Sequence, residues 1–421
     1  MVAERQACTI YLPINKKQQT IGLKRFFVTA AALLAAFSLG AQTPDKEEVK
    51  TPYEFTAVKD IPATSVKDQY SSGTCWSFAG IAFLESELLR TGKGDYDLSE
   101  MWIARHAYLD KAKKYTRMHG KAEFSQGGAT HDVFNVIREY GIVPDEVYTG
   151  LQYGTDNHQH SEVEAVLKGY MKGVVANPNG KLTPVWADGL DGILDAYFGE
   201  LPETFVYNGK EYTPQSFAEE LGLNMDDYVS FTSFTHHPFY TQFAMEVPDN
   251  WAWGLSWNVP LDEFMAIIDN SLENGYTVDW AADVSEPGFQ YSKGFAVIPA
   301  GVGEDAQNTE WSKWETMSAN SRRNMIANAT EPIKEMEITQ ELRQQGYDNY
   351  ETTDDHGMLI TGLYKDQNGN TFYKVKNSWN TDNIYDGYFF ASAPFVAYKT
   401  LNIVVHKDAV PKDIRKKLGI K

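Results

Sequence analysis

Cys75 closes the segment Gln69–Tyr70–Ser71–Ser72–Gly73–Thr74–Cys75–Trp76. Directly after it, Phe78, Ile81, Ala82, Leu88 and Leu89 recur at helical spacing as far as Arg90. A thiol is a weak nucleophile until it loses its proton, and the partial positive charge at a helix N-terminus favours the thiolate. Gly73 lets the backbone turn close to a carbonyl held against the sulfur. Gln69, six positions upstream, offers an amide N–H to a developing oxyanion, with the Cys75 backbone N–H as the natural second donor. The thiol needs a base. His356 stands in Thr352–Thr353–Asp354–Asp355–His356–Gly357–Met358, just ahead of an alternating run from Leu359 to Tyr364. A second run, Phe372 to Lys376, follows the turn residues Asp366–Gln367–Asn368–Gly369–Asn370, which is a hairpin pattern. Folding about Asn368–Gly369 sets Asn377 roughly opposite Ile360, at the end of the hairpin where His356 lies. An amide there can accept the imidazole N–H and aim the ring at the thiol, the part a third member plays in a triad. Trp379 is placed to shield that hydrogen bond from water.

The chain has 421 residues and two cysteines, Cys8 and Cys75. Residues 1–40 form a leader: Lys24 and Arg25 precede an apolar run from Phe26 to Leu39, and Ser38–Leu39–Gly40 gives small residues at cleavage-like spacing. Fourteen residues rise about 21 Å as a helix, short of the roughly 30 Å of a bilayer core, so a removed signal peptide is expected rather than an anchor. Residues 41–57 are polar and read as a flexible lead-in. Export to the periplasm or the exterior follows, with no membrane attachment after processing. Without the leader one thiol remains, which excludes an internal disulfide. A lone Cys in an exported protein marks a reactive thiol or, blandly, a small core residue. The chemistry assembled around Cys75 favours the first.

Residues 1–40 carry five Lys/Arg and one Glu, leaving 33 basic against 56 acidic side chains and a net charge of −23. A surface that negative lacks the cations that displace counterions from a phosphate backbone, so nucleic acid is not a partner. His236–His237 and His158/His160 have no companion at a recognised ligand spacing, and no metal site is expected. Trp251, Trp253 and Trp257 form a cluster whose default is buried packing, with a peptide- or glycan-binding surface as the alternative.

The elements that must position these groups are coarse but legible. Helices are expected from Trp76 to Arg90, from Ser99 toward Leu109, and from His131 to Tyr140, where Gly141 stops the last. Residues 150–250 are mixed and turn-rich, and no chemistry is read there. Tyr388–Phe390 and Leu401–Val405 read as strands in addition to the hairpin. Helices first and strands later predict an α+β protein. The expected division is a helical lobe with a central insertion over 58–250 and a β-rich lobe over 251–421.

The blocks around Cys75, His356 and Asn377 resemble the papain-like C1 cysteine peptidases, most closely their bleomycin hydrolase and aminopeptidase C branch. Papain has a disulfide-forming Cys where this chain has Ser72. The 281 positions from Cys75 to His356 also suit that branch, against roughly 130–150 in papain. Ser125–Gln126–Gly127–Gly128, Gly141–Ile142–Val143–Pro144, Ile338–Thr339–Gln340–Glu341 and Ile403–Val404–Val405–His406–Lys407 extend the resemblance to about residues 57–415.

The resemblance implies two lobes, helical and β-barrel-like, with a cleft between them. It implies Cys75 as nucleophile, His356 as general base and acid, Asn377 as orienter and Gln69 as oxyanion donor. The backbones of Gly127 and Gly128 would line the peptide cleft. Peptide hydrolysis through a thioacyl enzyme with no cofactor is implied, as is a hexameric ring. Family members use a C-terminal arm to hold the substrate's amino terminus, and Val410 to Lys421 stop near where that arm would begin. An aminopeptidase is therefore set beside an open-cleft endopeptidase. A catalytically silent peptide-binding scaffold and acyl transfer to a non-water acceptor are the other readings. A Cys–His ion pair predicts a bell-shaped pH profile.

Overall fold

The computed structural model describes residues 50–300 and 317–421. The leader and Cys8 lie outside the described residues. The sequence from 75 onward folds as a helical wall. Helix α1 (Cys75–Arg90) starts at Cys75 itself, and α2 (Glu100–Arg117) is capped by Ser99, whose hydroxyl accepts from Trp102 N. Helix α3 (Thr130–Tyr140) ends at Gly141 as the pattern predicts. Periodicity suggested one apolar stripe on α1, yet every residue from Trp76 to Leu88 is buried, Ser77, Glu85, Ser86 and Glu87 included. The reason is its place. α1 lies against α2 and α3 on one side and against the strands His356–Lys365 and Val278–Ala282 on the other. A helix covered all round must satisfy its polar groups internally.

The β half is one sheet of eleven strands. Its centre runs Tyr228–Thr232, Thr400–His406, Val278–Ala282, His356–Lys365, Thr371–Lys376 and Tyr388–Ser392. The predicted hairpin is present, with Leu363 opposite Tyr373. Its turn is tied by the Asp366 carboxylate, which accepts from the backbone N–H groups of Asn368 and Asn370. The register differs from a straight fold-over. A bulge between Ile360 and Gly362 brings Ile360 opposite Val375 and Leu359 opposite Lys376. The turn alone would set Asn377 at the level of Leu359, and the bulge carries it one position further, to the level of Met358, two positions nearer His356 than Ile360. A bulge of this kind bends the strand locally and re-aims the side chains beyond it.

Two expected boundaries change. The lead-in, as far as it is described, is packed rather than flexible. Tyr53 is buried against Phe295 and Phe372, Phe55 stacks on Phe390 with centroids 4.0 Å apart, and Thr56–Asp60 pairs with His356–Lys365. Polar neighbours masked two aromatics that had partners 240 to 340 residues away. The boundary at 250 also falls inside the sheet, because Tyr228–Thr232 and Gln242–Ala244 precede it and join it. The helical lobe is confined to residues between 61 and 227. Among the described residues no helix is long and apolar enough to cross a membrane.

Candidate active site

Cys75 occupies the first position of α1, where the helix's leading N–H groups have no intrahelical acceptor. Across from it, His356 begins the strand His356–Lys365 and is buried. Close approach of strand and helix depends on Gly357: a Cβ there would sit 3.1 Å from Trp76 Cα and 3.3 Å from both Ala79 Cβ and Cys75 O. Sequence reasoning missed this glycine. Its signal, His followed by Gly at a strand start, is intelligible only once the helix is known to lie underneath.

The other predicted residues assemble around this pair. His356 Nε2 lies 2.7 Å from Asn377 Oδ1, which also accepts from Ser378 N at 2.8 Å. The buried Asn377 Nδ2 has no partner. Trp379 covers the imidazole with ring centroids 4.6 Å apart and 29° between planes. Gln69 is buried and its amide is fixed at both ends: Nε2 donates to Ser72 O at 2.6 Å, and Oε1 accepts from Ser378 Oγ at 2.6 Å. The second Nε2 hydrogen stays available to an oxyanion. Ser378 therefore joins the nucleophile loop to the Asn377 loop, helped by Gln69 N donating to Ser378 O at 2.9 Å. Gln126 does the same on the opposite wall. Its Oε1 accepts from Gly73 N at 2.6 Å and its carbonyl from Trp76 Nε1 at 3.0 Å, which seats Gly127 and Gly128 beside the thiol. Neither Ser378 nor Gln126 stood out in the sequence, since one hydroxyl and one amide carry no spacing signature.

Electrostatics in the closed site favour neutral groups. Burial pushes the Cys75 thiol up to about 12, and the Asp249 and Asp354 carboxylates add to the rise, while the N–H groups of Gly357 and Trp76 oppose it. Burial pushes His356 down to about 4, against the hydrogen bond to Asn377. Burial thus opposes the charged form of each group taken alone, while the N–H groups of Gly357 and Trp76 favour the thiolate and the bond to Asn377 favours the imidazolium.

The cavity beside Cys75 is lined by Trp76, Gly128, Asp249, Asp354, Asp355 and His356, among others. Asp249 belongs to the stretch in which no chemistry was read. Trp251 lies near this wall with Lys111 Nζ 5.7 Å from its ring, whereas Trp253 is exposed. His236 and His237 each place Nε2 3.1 Å from the Glu246 carboxylate. His160 is buried, with both ring nitrogens unpartnered, and stacks edge-on against Phe198.

Comparison with known proteins agrees with this arrangement. The description Papain family cysteine protease matches residues 51–182, and Peptidase C1-like family matches residues 333–420. The first span carries Gln69, Cys75, Gly127 and Gly128, the second His356 and Asn377. The chain is 22% identical over 402 residues to Aminopeptidase C of Lactobacillus delbrueckii subsp. lactis, covering 85% of this chain and 82% of that one. It is 22% identical over 414 residues to Cysteine proteinase 1, mitochondrial, of Saccharomyces cerevisiae, covering 86% and 79%. In fold it is similar to the crystal structure of pepw from Lactobacillus rhamnosis, with a TM-score of 0.66 at 19% identity, covering 86% and 84%. A helical lobe and a β-rich lobe that meet at a Cys–His–Asn set define a papain-like cysteine peptidase. The chain belongs to the papain-like C1 peptidases, within their aminopeptidase C branch.

Proposed function

We propose that the protein is an exported aminopeptidase that uses Cys75 as nucleophile, His356 as base and acid, Asn377 as orienter and Gln69 as oxyanion donor. His356 takes the Cys75 proton as the sulfur attacks the scissile carbonyl. The oxyanion receives hydrogen bonds from Cys75 N–H and Gln69 Nε2. His356 then protonates the departing amine, and the C–N bond breaks to leave a thioester. Water, deprotonated by the same imidazole, hydrolyses it and returns the proton to sulfur. Asn377 keeps the ring in the tautomer and orientation this needs. Gly127 and Gly128 carry the substrate backbone, and Trp379 excludes water from the His356–Asn377 bond. The observation that carries the reading is one hydrogen-bonded frame holding His356, Asn377 and Gln69 (His356 to Asn377, Asn377 to Ser378, Ser378 to Gln69), with Cys75 and His356 lining one cavity. A scaffold that only binds peptide has no use for it.

The test compares a peptide with a free amino terminus and its acetylated form, with and without a thiol-alkylating reagent. Alkylation-sensitive release of the first residue from the free peptide alone is expected; equal cleavage of both indicates an endopeptidase. Cys75→Ala should lower turnover by about 10⁴-fold or more with the folded state retained. Persistent hydrolysis in that variant would remove the assignment. Export rests on Lys24–Arg25 and the Phe26–Leu39 run. N-terminal sequencing of the protein from its producing cells is expected to begin after Gly40, and an intact Met1 would count against it.

A further inference from the structure

The cavity next to the thiol has a polar character of one sign. Asp249, Asp354 and Asp355 line it, and among the described lining residues there is no Lys or Arg. The Asp249 carboxylate lies over the glycine wall: a Cβ on Gly127 would land on it. Asp249 N donates to Asp354 Oδ2 at 3.2 Å, so the two acids are held as neighbours. Among the described residues no protein donor reaches the Asp249 carboxylate. Lys111 is the nearest buried cation, but it lies beneath the wall and donates to Ser125 O and Gly127 O. Asp355 is occupied differently, its carboxylate accepting from Val284 N at 3.1 Å.

Geometry says what this cavity can receive. The α-nitrogen of the residue being released lies about 2.5 Å from the scissile carbonyl carbon, two covalent bonds away. Any group that recognises it must stand beside the nucleophile, on the wall where the preceding residue would otherwise run. Asp249 stands there, close enough to Cys75 to raise its thiol pKa, as does Asp354. A peptide extended by one residue would meet the Asp249 carboxylate over Gly127. A free ammonium would instead supply the positive charge the cavity lacks.

We propose that Asp249, backed by Asp354, accepts the α-ammonium of the substrate, so that the limit to one amino-terminal residue is built into the cleft wall. This rests on the aminopeptidase reading above and names the residues that enforce it. The experiment measures kcat/KM of the full chain and of Asp249→Asn on an aminoacyl arylamide, on its N-acetyl form and on a dipeptidyl arylamide. The variant is expected to lose roughly 10- to 100-fold on the free aminoacyl substrate, the range of a charge-assisted hydrogen bond. The low rate that the wild type shows on the acetylated form is not expected to fall by that factor, so the preference for the free amine narrows. Circular dichroism and the urea midpoint report that the variant is folded, and Asp354→Asn gives a second variant with the same expected direction. Equal losses on both substrates, or no loss on either, would overturn the assignment of Asp249. Release of dipeptides by the wild type would overturn it too, because the ammonium would then sit one residue further out. If the wild type cleaves free and acetylated substrates alike, the aminopeptidase reading itself fails, which is a different result from a selective wild type with an indifferent variant.

Discussion

Two groups of buried charge lie on either side of the contact between α1 and Gly357, and they are built in opposite ways. Behind the Asn377 side, Lys67 contacts Glu85 at 3.3 Å, Glu100 at 2.7 Å, Asp97 at 2.6 Å and Leu98 O at 3.2 Å. Glu85 also accepts from Thr64 Oγ1 at 2.6 Å and Leu98 N at 2.9 Å, and Lys376 reaches Thr64 at 2.9 Å. Burial works against the charge on Lys67, yet Glu100, Glu85 and Asp97 together hold its pKa well above the ordinary value. On the cleft side, Asp249, Asp354 and Asp132 are all pushed up by burial, Asp354 and Asp132 to about 7. There Lys111 is the counter-charge, and burial pulls it down. The first cluster has its cation between the acids and fixes the Gln69 loop to α1, although burial and the Glu85 charge still push Glu100 up to about 7 against the pull of Lys67. The second is left short of positive charge at the place where a substrate enters. Buried charge without a partner costs stability, so a chain keeps it where a ligand completes it.

The comparison breaks most readily at Lys67. Replacing it with Met leaves Glu85 and Glu100 buried beside one another with no cation between them. Loss of one partner from a buried pair costs about 3–5 kcal/mol. Lys67→Met is expected to lower the unfolding free energy by that amount, read by urea titration, with the preference for free over acetylated substrates unchanged in the folded fraction. A small loss of stability would mean that the first cluster is no better completed than the second.

A smaller effect of opposite sign is expected at Asp354. Its folded pKa of about 7 lies above the ordinary carboxylate value, so the folded state holds the proton to higher pH than the unfolded chain does. Its contribution is complete below about pH 4 and is lost as pH rises through 7. Asp354→Asn removes that dependence. The variant should be more stable than the wild type at pH 8 by on the order of 2 kcal/mol, with the gain shrinking toward zero near pH 4. Denaturant midpoints at several pH values read this directly. No gain at pH 8 would show that the cleft carboxylates are already satisfied.

How much of this was legible follows the range of the interactions. Cys75, His356, Asn377 and Gln69 each had a local context in the sequence, and the structure places them around one cleft. The hairpin was visible because Asp366–Asn370 is turn chemistry acting over five residues. What was lost depends on distant partners. Tyr53 and Phe55 pack on residues near 295, 372 and 390, the strand Tyr228–Thr232 pairs with Thr400–His406, and Gly357 matters only because α1 runs beneath it. Asp249 is the sharpest case. Nothing in Val247–Pro248–Asp249–Asn250 marks an acid that meets Gly127, 122 positions earlier, and the bulge that lifts Asn377 toward His356 is likewise invisible in a pattern of period two.

The finest distinction between the two clusters is read at the sulfur itself. Burial is the main reason the Cys75 thiol is pushed up to about 12, with Asp249 and Asp354 contributing after it. Glu85 and Glu100 are not among the groups that raise it. Neutralising a cleft acid should therefore lower the thiol pKa, and neutralising an acid behind the helix should not. Iodoacetamide reacts with the thiolate, so its rate against pH tracks that ionisation. Asp249→Asn or Asp354→Asn is expected to move the midpoint to lower pH by a few tenths of a unit to about one unit. Glu100→Gln, which lies in the completed cluster, is expected to leave it in place. If Glu100→Gln moved it as far as Asp249→Asn, the two clusters would act on the nucleophile as one field, and the cleft acids would owe their position to that field rather than to the substrate's amine.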